Sequence, residues 1–179
     1  MLTVKSLAYP ILSIVTSCFF IPTIANAESD SFITENEVFI AIENPSREAE
    51  MWATCSSSLE VFSMIIAEER PAQAKQLHQL SNGSSIAIAM SIVADRLEDD
   101  MNAKEFPNVW KFAQIQIESL RDTQSTMILS ELEMMTENSQ QEQFMAKLLK
   151  TIEICSSNAE TQQMYVDMWR ELVKSGIVK

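Results

Sequence analysis

Apolar residues recur at steps of three and four along most of this chain, the spacing of helices that each bury one stripe. The clearest run is Trp52, Cys55, Leu59, Phe62 and Ile66. It opens at Asn44-Pro45, a capping asparagine before a proline suited to a first turn. It must stop by Arg70, because Pro71 follows. A second helix is predicted from Pro71 through Ala74 and Leu77. Asn82-Gly83 interrupts it as a kink or short turn, and the stripe resumes with Ile86, Ala89, Met90, Val93 and Leu97. A third helix opens at Pro107 and carries Trp110, Ala113, Ile117 and Leu120 on its face. The last element spans residues 139–175 through Met145, Leu148, Ile152, Cys155, Val166 and Trp169, with Gly176 as its C-cap. Ser157-Asn158-Ala159-Glu160 also fits a capping box, so the pattern admits one long helix or two.

Four helical segments with short connections predict an all-α fold, an up-down-up-down bundle over residues 45–179. Residues 28–44 form a separate acidic segment before it. Thr34 and Glu37 could cap a short helix there through Val38, Phe39 and Ile42, but the segment could equally be extended. The chain has only two glycines, Gly83 and Gly176, which argues against sheet folds that need many tight turns.

Residues 1–27 follow a different pattern. Lys5 is their only charge, an apolar run continues through Phe20, and Ala25-Asn26-Ala27 supplies a small-x-small cleavage site. This is the layout of a secretory leader cut after Ala27. A membrane anchor needs about 20 uninterrupted apolar residues, and Pro10, Ser13, Thr16, Ser17 and Pro22 break this stretch. Val15-Thr16-Ser17-Cys18 also resembles a lipoprotein box, although the apolar run passes beyond Cys18 toward the better site. The expected location is therefore outside the cytosol, periplasmic or secreted, with no membrane span in the mature chain.

Charge narrows the choice of partners. The formal net charge is −12, and loss of Lys5 with the leader makes it one unit more negative. From Glu28 to Glu69 there are ten acidic residues against the single base Arg47. Nucleic acid is disfavoured, since phosphate backbones require a basic face, and a protein partner meeting the acidic third should itself be basic.

Removal of the leader leaves two cysteines, Cys55 and Cys155, and an even count in an exported chain predicts a disulfide. Both fall on apolar stripes. Counted from the shared end of the first and last helices they lie at about 21 and 24 Å, at 1.5 Å per residue, so antiparallel neighbours would bring them together.

Candidate chemistry is sparse. His78 is the only histidine and is expected on a helix surface, which leaves no evident triad or di-metal constellation. Met164 and Met168 share a helical face and could hold Cu(I), but methionine also fills irregular cores, the preferred reading here. Glu98, Asp99 and Asp100 lack the spacing of a calcium loop, and Asn82-Gly83-Ser84 is a glycosylation sequon. Trp52, Trp110 and Trp169 are expected in the core. No catalytic, metal or cofactor residue is assigned. The expectation is a non-enzymatic exported protein acting by protein-protein binding, of the inhibitor, immunity, adaptor or chaperone type. The alternative is a periplasmic carrier of metal, haem or lipid between helices.

Overall fold

Asn44 opens the first helix as its residue type demands. Its Oδ1 accepts from the amides of Ser46 at 3.0 Å and Arg47 at 3.2 Å, and Pro45 occupies the first turn. The computed structural model describes residues 31–97 and 105–178. Five α-helices follow in order: α1 (Pro45–Ile66), α2 (Pro71–Leu97), α3 (Phe106–Glu133), α4 (Asn138–Ser157) and α5 (Ala159–Lys174). A one-turn 3-10 helix, Phe39–Ala41, precedes them, and no strand occurs among the described residues. The expected leader, with Ala25, Ala27 and Cys18, and the Glu98-Asp99-Asp100 cluster lie outside the described residues.

The helix α1 is the centre of the protein, packed against α2, α3 and α4. Every residue from 52 to 59 is buried, so a single apolar stripe is too narrow a description of it. The physical reason lies in its small polar residues. Ser56 Oγ donates to the Ser81 carbonyl at 3.1 Å and lies 3.0 Å from Ser81 Oγ, which joins α1 to α2. Ser57 Oγ donates to the Arg121 carbonyl and accepts from Ser125 Oγ, both at 3.1 Å, which joins α1 to α3. Small hydroxyls let neighbouring helices approach, and pairing them removes the cost of burying a polar group, about 1–3 kcal/mol when left unmade. These serines read as polar in sequence and are core in structure.

Cys55 and Cys155 form a disulfide with Cα atoms 5.7 Å apart, linking α1 to α4 across 100 residues of sequence. The surrounding core includes Phe39, Trp52, Ile88, Ile154 and Tyr165. A second cluster at the other end of α1 holds Phe32, Val61, Ile128, Phe144 and Leu148.

The expected kink at Asn82-Gly83 does not form; α2 is continuous through it. Gly83 instead makes room for a side chain from α5. A Cβ at this position would lie 3.0 Å from Gln162 Cδ, and Gln162 Nε2 donates to the Leu80 carbonyl at 3.2 Å and to Ser84 Oγ at 2.7 Å. The last apolar stripe proves to be two helices, α4 and α5, divided at Asn158. Gly176 ends α5 with φ +74°, and the amides of Gly176 and Ile177 donate to the carbonyls of Val173 and Leu172. This glycine-dependent stop turns Val178 back into a cluster with Val93, Phe106 and Ala113.

Candidate functional site

Residues 31–44 are the part of the chain whose conformation sequence leaves open, and the structure gives them a defined place. They carry no helix except the 3-10 turn at Phe39–Ala41, so the capped helix that Thr34 and Glu37 would open does not form, and side chains at positions 151 and 158 hold the segment beside α4. Thr151 Oγ1 accepts from the Ile33 amide at 3.0 Å and donates to the Ile33 carbonyl at 3.2 Å, supplying both bonds a neighbouring strand would have made. Two turns further on, Asn158 Oδ1 accepts from the Phe39 amide at 2.9 Å. Its Nδ2 donates to the carbonyls of Glu37 and Ile154, both at 3.0 Å. Phe32, Ile33 and Phe39 are buried, each contributing about 1.5–3 kcal/mol by leaving water. Phe39 meets Trp52 edge-on at 4.7 Å and Phe32 meets Phe144 at 5.4 Å.

The acidic residues of this segment therefore stand on a fixed surface. Glu35, Glu43 and the neighbouring Glu50 of α1 are exposed, as are Val38 and Ile40. Arg47 donates to Glu37 Oε1 at 2.6 Å. Between the segment, α1 and α3 lies a pocket of about 240 Å³. Its lining combines Phe32, Ile33 and Met51 with Glu35, Glu37, Glu50 and Gln124. Glu37 Oε2 and Gln124 Oε1 are both buried without a hydrogen-bond partner.

A larger groove of about 800 Å³ lies between α2, α5 and the start of α3. Met90, Met164, Met168 and Phe106 form its apolar lining, and Asp167, Arg170, Glu171 and Lys174 stand around it. Met164 and Met168 are thus at an exposed groove, where sequence reasoning places core.

Beneath the acidic face, Glu48 is buried and its Oε1 accepts from Trp52 Nε1 at 3.1 Å and Tyr165 OH at 2.8 Å. Burial, followed by the hydrogen bond and the charge of Glu48, pushes the Tyr165 hydroxyl far above its ordinary value of 10.0, with Ser91 partly offsetting this. Two donors and an aromatic enclosure make this a structural knot that ties the first turn of α1 to α5. Sequence reasoning missed it because Glu48 and Tyr165 are 117 positions apart.

The remaining candidates do not converge. His78 is exposed on α2, and among the described residues no group of three or more His, Cys, Asp and Glu side chains is placed to hold a metal. Trp52 is buried as expected, whereas Trp110 and Trp169 are half-buried, Trp110 stacking on Phe106 at 6.4 Å. In the sequon, Asn82 is exposed but Ser84 is buried against Gln162. No helix among the described residues is long and apolar enough to cross a membrane. No protein-family model matches the chain, and no curated protein or solved structure matches it.

Proposed function

We propose that this protein is an exported, non-enzymatic binding module whose acidic N-terminal face engages a basic protein. One observation carries this reading: the acidic segment is held on the bundle by Thr151 and Asn158. A charged face fixed in advance needs no ordering on association, so its field serves both recognition and encounter rate. The proposal includes a leader of residues 1–27 cut after Ala27, a periplasmic or secreted location, and alternating up and down directions for α1, α2, α3 and the α4–α5 pair. The short connections after α1 and α3 support that topology.

The test is capture from an exported fraction by the immobilised leader-free protein. A genuine electrostatic partner is retained at about 0.05 M salt, released by about 0.5 M, and lost when Glu35, Glu43 and Glu50 are changed together to lysine. Retention indifferent to salt and to the triple change contradicts the reading.

The methionine-lined groove between α2 and α5 favours a second reading, a carrier of an apolar ligand. Native mass spectrometry of freshly purified protein decides it: a bound lipid-sized mass supports the carrier, and a bare chain opposes it.

A further inference from the structure

We infer that the pocket between the N-terminal segment, α1 and α3 is an anchor site for a guanidinium group, which an arginine of the basic partner supplies. This deepens the proposed function and rests on it for the identity of the donor, while the chemistry of the pocket stands by itself.

The pocket holds acceptors in search of donors. Gln124 is 8% exposed, and its Oε1 has no partner. Glu37 Oε2 is likewise buried and unpartnered, because Arg47 engages the other carboxylate oxygen. A buried acceptor left unmade costs about 1–3 kcal/mol, and the two residues that carry these acceptors both line one cavity. A cation is selected over a neutral donor by charge: Glu35, Glu37 and Glu50 line the pocket against the single base Arg47.

Size and lining select the kind of cation. At about 240 Å³ the pocket is smaller than the cavities that take cofactors or drug-sized ligands, about 300–1,000 Å³, and suits one side chain. The apolar walls of Phe32, Ile33 and Met51 suit an aliphatic stem and the weakly hydrated faces of a guanidinium. A planar group with five N–H donors can reach acceptors on separate walls at once. An ammonium is a compact, strongly hydrated charge and loses more on entering such a site. A metal ion is a poor fit, since no group of three or more suitable ligands is assembled among the described residues.

The experiment is NMR titration of the isotope-labelled, disulfide-intact protein with four probes: a capped Gly-Arg-Gly peptide, its Gly-Lys-Gly counterpart, agmatine and spermidine. The arginine peptide should saturably shift the Gln124 side-chain amide and the backbone amides of Ile33 and Thr34, with the lysine peptide at least about fivefold weaker. Glu37→Gln should weaken the arginine peptide about tenfold. Gln124→Met is nearly isosteric, removes an unpartnered acceptor and keeps the fold, and should weaken it similarly. No saturable shift at Gln124 with either guanidinium overturns the site; if salt-sensitive capture of a basic protein persists, the functional reading survives without it. If the peptide binds but the captured partner ignores Glu37→Gln, the partner's arginine is not the occupant. Agmatine or spermidine binding tighter than the arginine peptide also overturns the protein source, in favour of a free small cation.

Discussion

The amide of Phe39 donates to Asn158 Oδ1 at 2.9 Å across 119 positions of sequence, at the point where α4 gives way to α5. One asparagine thus breaks a helix and docks a distant segment. Its own amide closes the end of α4 onto the Cys155 carbonyl at 3.2 Å, next to the disulfide. The acidic face is held in place by the residues that divide the last apolar stripe.

Asn158→Ala and Thr151→Val should each destabilise the protein by about 1–3 kcal/mol, because each leaves buried backbone groups of the segment unpaired. Hydrogen exchange distinguishes the two. The Phe39 amide loses protection in Asn158→Ala and the Ile33 amide in Thr151→Val, while amides of α2 should change only by the global loss of stability.

The disulfide closes a loop across 100 residues, worth about 4.7 kcal/mol in a chain-entropy treatment. Replacing Cys55 and Cys155 with alanine should lower unfolding free energy by about 2–5 kcal/mol. A reductant should lower the Tm of the wild-type protein and leave the double variant unmoved.

Much of this architecture is legible in the sequence, and the failures share one cause. Cys55 and Cys155 are predictable partners because each sits on an apolar stripe and the expected leader implies an oxidising compartment. The helix limits at Asn44, Pro71 and Gly176 are legible because local chemistry decides them. Gly83 misleads because glycine marks either a turn or a close approach, and only Gln162 from another helix shows which. The serines of α1 mislead because a hydroxyl is polar until a partner 25 or 64 residues away satisfies it. The pocket was invisible for the same reason: Glu37 and Gln124 come together only through packing.

Gly83 and Gln162 should behave as a coupled pair. Gly83→Ala alone combines a helix-propensity gain of about 1 kcal/mol with displacement of Gln162 from Leu80 and Ser84, and should be close to neutral. In a Gln162→Ala background the same change should stabilise by up to about 1 kcal/mol. Urea unfolding of the four proteins measures the cycle, and strict additivity would contradict the contact.

Tyr165 supplies an alkaline signature. The chain has two tyrosines, and the other, Tyr9, falls in the expected leader, so ultraviolet titration of leader-free protein reads Tyr165 alone. Its ionisation should begin well above pH 10 in the native state and near pH 10 in denaturant. Because the folded value is raised, the native state retains a proton that the unfolded state loses. This contribution to stability is whole below pH 10 and declines above it by up to about 1.4 kcal/mol per pH unit. Tyr165→Phe should remove that slope.

The sulfur bridge also divides the chain by how it fails under attack. A protease that cuts once anywhere between residues 55 and 155, a stretch that includes all of α2 and α3, yields two pieces still joined by a bond and able to close up again. A single cut in the stretch before α1 has no such safeguard: no covalent bond holds the released piece, so Phe32 and Ile33 leave the core together with the carboxylates on their side of the cut.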